Sequence, residues 1–135
     1  MDTTATMPTE MILLGWGIIL LLLQLALQGL VGVIEFGPAY AFSPRDEQHQ
    51  LKNPYGARLD RAFYNLLETF PVFAALALAL AVTGKTGGIG VTGAQIWLWA
   101  RVLYVPAYAF GITFVRTLIW TISIVGLIMM LVALL

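Results

Sequence analysis

"RLDRAFYNLLETFPVF", residues 58–73, decides how the whole chain is read. Arg58, Asp60, Arg61, Asn65 and Glu68 crowd the start of a segment that then runs "AALALALAV", residues 74–82, with no polar residue at all. A helix that crosses a bilayer needs about 20 mostly apolar residues. A charge at its centre costs about 2.5–3.5 kcal/mol on insertion scales, so such side chains are expected to face inward and find partners. Arg61, Asn65 and Glu68 fall at i, i+4 and i+7, one stripe along a single helix face.

The rest of the chain supports a membrane reading. Of 135 residues, 60% are hydrophobic and 10% charged, against about 25% charged in soluble domains, and the mean hydropathy is +0.89. The apolar residues come in long blocks, so the expected fold is an all-α, four-transmembrane-helix bundle forming a single domain over residues 1–135. The spans are placed at roughly 11–36, 62–82, 93–114 and 115–135, the last two as a tight antiparallel hairpin. Asp60 is the expected N-cap of the second span, and Thr83-Gly84 its end. The opening "MDTTATMPTE" has no basic n-region, so the first block is expected to remain as a span.

Lys and Arg are retained on the cytoplasmic side of membranes. Arg45, Lys52, Arg58 and Arg61 flank or occupy the first connection and Arg116 the third, against Lys85 alone in the second. Both termini are therefore expected outside the cytoplasm, with the large first loop inside. Zero net charge offers no footprint for a nucleic-acid partner, and the absence of cysteine excludes disulfides and thiolate metal sites.

Several local motifs read as structural. Gly88, Gly90 and Gly93 have GxGxxG spacing, but with no βαβ unit around them they are taken as a flexible outside turn. Gly84-Lys85-Thr86 imitates the end of a phosphate loop, yet Ala79 stands where that loop needs glycine. His49, the only histidine, reads as a solvated loop residue, with no metal site expected. "SPRDE", residues 43–47, reads as ordering the first loop. Pro71 and Pro106 fall inside spans and are expected to kink them. Trp97, Trp99 and Trp120 read as anchors or packing residues.

Two further blocks carry polar lines. Arg101, Tyr104 and Tyr108 sit at i, i+3 and i+7 of the third; Gln24, Gln28 and Glu35 share one side of the first. One reading makes these lines glue: Arg61 and Glu68 as a salt bridge, Asn65 as an interhelical donor. The other makes them the walls of a pocket in which a small anion meets several guanidinium groups. Arg58, Arg61, Arg101 and Arg116 outnumber Glu35, Asp60 and Glu68, leaving one positive charge for a ligand or lipid headgroup.

The pattern R-x-x-RA-x-x-N-x-x-E-x-x-P-x-F, here Arg58, Arg61-Ala62, Asn65, Glu68, Pro71 and Phe73, resembles the signature of the MAPEG family, membrane-associated proteins in eicosanoid and glutathione metabolism. "ARVLYVPAY", residues 100–108, resembles that family's third-helix pattern. The resemblance implies a homotrimer of four-helix protomers, microsomal glutathione transferase-like, with glutathione as co-substrate held between subunits near the cytoplasmic side. It implies glutathione contacts from Arg61, Asn65, Glu68, Arg101, Tyr104 and Tyr108, and thiol activation by Arg116. The implied activity is transfer to a lipophilic electrophile, or reduction of a hydroperoxide, reached from the bilayer. The alternative is a non-enzymatic protein of the same fold whose polar stripes serve trimer assembly or lipid-anion binding. Thr69 stands where the best-known glutathione-binding members carry tyrosine.

Overall fold

The computed structural model describes residues 6–44, 46 and 49–135. Arg45 and part of the 43–47 cluster lie outside the described residues, so the loop-ordering expectation is not addressed there. The described chain is all helical: α1 (Thr9–Phe36), a short α2 (Pro38–Phe42), α3 (Pro54–Thr83), α4 (Gly88–Ala109) and α5 (Thr113–Leu134). Among them α1, α3 and α5 are long and apolar enough to cross a membrane. The chain is thus an integral membrane protein with three such helices. α4 matches α5 in length at 22 residues, but its glycines, Gln95, Arg101 and tyrosines hold its hydropathy down.

α3 starts earlier than the apolar pattern suggests. Asn53, not Asp60, is its N-cap: the Asn53 side chain accepts from the amides of Tyr55 and Gly56 at 3.0 and 3.4 Å, and Pro54 supplies the preset φ of a first helical position. Hydropathy missed the first two turns because they are polar. Asp60 lies inside the helix and accepts from Gln28 Nε2 of α1 at 3.0 Å. The other end is as expected, with Gly84 at φ +71° closing α3. Pro71 and Pro106 sit within α3 and α4, neither of which they end.

The core lies among α1, α3, α4 and α5. Trp97, fully buried, stacks on Phe73 with centroids 3.9 Å apart and planes at 9°. Gly17 of α1 lies against this pair; a Cβ there would be 3.1 Å from Phe73 and 3.5 Å from Trp97. Trp99, by contrast, is 65% exposed and suits an anchor.

The glycines read as a flexible turn are part of α4 instead. Gly93 packs on Gly126 of α5 so closely that a Cβ on either would approach the other's carbonyl oxygen at 2.5–2.6 Å. Small residues let backbones meet in this way, which is how helices associate without a hydrophobic driving force between them. Gly90 is buried beside Glu10 of α1. The Glu10 carboxylate, itself fully buried, accepts from the Gly87 amide at 2.9 Å, at the N-terminus of α4.

Candidate functional site

The site lies at the other end of the bundle, where α3 and α5 begin and α4 ends. α4 closes with Gly111 at φ +71°, a left-handed turn that favours glycine. It turns the chain into α5 and puts Arg116 in that helix's first turns. A Cβ on Gly111 would come 3.0–3.2 Å from the Arg58 guanidinium, so the missing side chain also makes room for that group. Arg58 Nη1 donates to the Ala109 carbonyl at 3.3 Å, covering the C-terminus of α4.

Tyr108 is the centre of the arrangement. Its hydroxyl accepts from Arg61 Nε at 3.2 Å, and its ring has the Arg61 guanidinium at 5.8 Å and that of Arg116 at 4.6 Å. Arg58, Arg61, Tyr108, Gly111, Thr113 and Arg116 enclose a cavity of about 220 Å³. Three guanidinium groups line it, no carboxylate does so among the described residues, and the positive end of the α5 dipole adds to them. The nearby acids are engaged elsewhere: Glu35 accepts the Lys52 and Asn53 amides at 2.7–3.0 Å, and Asp60 accepts from Gln28. Such a cavity can bind an anionic group through charge-assisted hydrogen bonds.

One to two turns farther into the bundle lies a second polar group. Arg101, 1% exposed, donates from Nη1 to Asn65 Oδ1 at 2.9 Å, and its guanidinium lies 4.3 Å from the ring centroid of the buried Tyr104. Its Nε is buried without a partner. Tyr104 contacts Tyr108 ring to ring at 5.5 Å, which joins the two groups. Glu68 is exposed and couples electrostatically to Arg101 and Tyr104.

The sequence-derived residues are therefore brought together, though not in the pairs expected. Arg61 and Glu68 do not form the salt bridge read from their shared face: seven residues are about 10.5 Å of helical rise, and Arg61 turns to Tyr108. Asn65 is an interhelical acceptor here rather than a donor. Gln24 is buried in α1, while Gln28 and Glu35 hold other parts of the chain in place, so the first polar line does not reach the cationic cavity. Thr69 Oγ1 points back to the Leu66 carbonyl at 3.5 Å. His49 is exposed, as expected of a loop residue, but stacks on Tyr40 at 4.0 Å. Among the described residues no His, Asp and Glu group could hold a metal ion.

Arg58 was visible in the motif and counted among the cations of that half, but was not assigned to the site. Its spacing of three from Arg61 places the two on one helix face and was the available signal.

No curated protein matches the chain. The sequence model of the MAPEG family does, over residues 13–135, a stretch that holds all four long helices from the second turn of α1 onward and every residue of the cationic cavity. A match of that extent, on a helical bundle whose arginines, asparagine and tyrosines converge as described, leaves one conclusion: the chain belongs to the MAPEG family, the membrane-associated proteins of eicosanoid and glutathione metabolism.

Proposed function

We propose that the protein is a glutathione-dependent membrane transferase or peroxidase acting on a lipophilic electrophile or hydroperoxide. The observation that carries this reading is the cavity lined by Arg58, Arg61 and Arg116, with no carboxylate from the described residues among its walls. Glutathione carries two carboxylates, and a guanidinium cluster suits such a group.

At about 220 Å³ the cavity is smaller than the roughly 300–1,000 Å³ of sites that enclose a whole small molecule. It fits one anionic end of a tripeptide, and the remainder needs cover from outside the protomer. A neighbouring subunit of a homotrimer would provide that cover, with α4 as the fourth span. Glu68, exposed, and Asn65, half-buried, lie farther along the same side and would receive the rest of the ligand, with the buried Arg101 and Tyr104 behind them.

Bound glutathione would supply the nucleophilic sulfur, so the protein needs neither cysteine nor catalytic histidine. The role left to the chain is electrostatic: a nearby guanidinium lowers the pKa of a thiol. Arg116 is our candidate for it, since Tyr108 holds its guanidinium at the cavity. The exposed apolar side chains of α1 and α5 suit contact with lipid, from which a lipophilic second substrate would reach the site.

The second reading, a non-enzymatic assembly role, has one observation in its favour. Arg101 and Asn65 satisfy each other inside the protomer, as polar residues do when they glue helices.

Glutathione binding to the purified protein in detergent separates the two. Saturable binding at millimolar glutathione, weakened about tenfold or more in Arg61→Ala, is expected of the enzyme. Absence of saturable binding in the wild type removes the transferase reading. With Arg116→Ala, unchanged binding and lost turnover of a generic electrophile would assign Arg116 to thiol activation.

A further inference from the structure

A larger cavity, of about 640 Å³, opens between α1 and α3 beneath α2. Its walls are of two kinds. Apart from Gln28, which faces Asp60, the α1 side is apolar, with Leu25 and Val33 half exposed and continuous with the outward leucines of that helix. Gly29 and Gly32 hollow it out, and a Cβ on either would meet nothing within 4 Å. The opposite side presents Asp60, Arg61 and Tyr64 of α3, roofed by the stacked Tyr40 and His49 rings.

Asp60 and Arg61 are adjacent and opposite in charge, yet each is held by a neutral partner on a different helix. Asp60 takes Gln28 of α1 and Arg61 takes Tyr108 of α4. The cavity wall thus carries one negative and one positive pole that do not engage each other. A lone anion would find Arg61 but also the Asp60 carboxylate, which disfavours it. A head bearing both signs satisfies both poles, and Tyr40 and Tyr64 line the same cavity, where aromatic rings favour an ammonium.

We propose that this cavity binds a zwitterionic amphiphile: an ammonium at Asp60, an anionic group at Arg61, and an acyl chain leaving along Gly29 and Gly32 to the apolar face of α1. The site is distinct from the three-guanidinium cavity, which meets only anions, and stands whether or not glutathione binds there. Arg61 lines both.

The test uses the full chain in detergent and two fluorescent single-chain probes, lysophosphatidylethanolamine and lysophosphatidic acid, which lacks the ammonium. The zwitterionic probe is expected to bind saturably, and about tenfold or more tighter than the anionic one. Asp60→Asn, which keeps the acceptor for Gln28, should erase that preference by weakening the zwitterion alone. Gly32→Leu should abolish binding of both by filling the channel, with the melting temperature measured alongside to show that the fold is kept, as expected where a Cβ meets nothing within 4 Å. Equal binding of the two probes by the wild type overturns the proposal, as does unchanged binding in Gly32→Leu.

Discussion

The two ends of the bundle handle charge in opposite ways. At the end where α1 and α4 begin, charges meet the backbone one to one. Glu10 accepts the Gly87 amide at the positive end of α4, and Lys85 Nζ donates to the Leu134 carbonyl at the negative end of α5, at 2.8 Å. At the other end Arg58 does the same for Ala109, but Arg61 and Arg116 converge on one tyrosine and Arg116 sits at the unfavourable end of its own helix. An end that needed only stability would not gather like charges around a cavity. The first end closes the fold; the second leaves three guanidinium groups around a cavity, which the proposed function fills with an anionic ligand.

That division is most severely tested where the closed end is tightest. Gly93→Leu places a side chain where even a Cβ meets the Gly126 carbonyl at 2.5 Å. Backbone cannot retreat as a flexible side chain does, so the expected loss is at least about 3 kcal/mol. The variant should unfold at lower temperature in detergent and lose glutathione binding with it. Retention of wild-type melting would mean that α4 and α5 are not held together by this seam.

Arg116→Ala should act the other way, separating function from stability. Removing one cation from a cluster of three relieves repulsion, so melting should hold or rise, while glutathione turnover falls by about two orders of magnitude for about 2.7 kcal/mol of lost charge stabilisation. Melting that falls as steeply as turnover would show the cluster to be structural, and the contrast between the ends would disappear. The same cluster predicts a salt effect: glutathione affinity should drop as ionic strength rises from 0.01 to 0.15 M, because the Debye length shrinks from about 30 to 8 Å. Affinity independent of salt would argue against an exposed cationic cavity.

Legibility in the sequence follows the same line. Long apolar blocks marked where the long helices lie, and three of these, α1, α3 and α5, are apolar enough to cross a membrane. The start of α3 was missed because Asn53, Pro54 and the charged turns after them are a capping signal hidden within what looks like loop. Gly88, Gly90 and Gly93 were misread for a related reason: a glycine in a turn and a glycine in a helix seam look alike until the partner, Gly126, is known. At the site, the i, i+4, i+7 spacing selected Arg61, Asn65 and Glu68, but spacing within one helix says nothing about partners on another. Tyr108 as the shared partner of two arginines depends on the turn at Gly111, and so required the structure.

Glu10→Gln probes the closed end with the smallest change. The carboxylate acts as the glutamate of a capping box does, except that α1 lends it to α4. Glutamine keeps an oxygen for the Gly87 amide but loses the charge that the helix N-terminus favours, a term of about 1 kcal/mol where it is shielded from water. One carboxylate oxygen, Oε1, is already buried without a partner, and an amide nitrogen there gains none. Melting should therefore fall by a few degrees while glutathione affinity stays at the wild-type value, since the residue lies a bundle length from the arginines. If affinity falls as well, α1 transmits strain between the ends, and they are not independent devices.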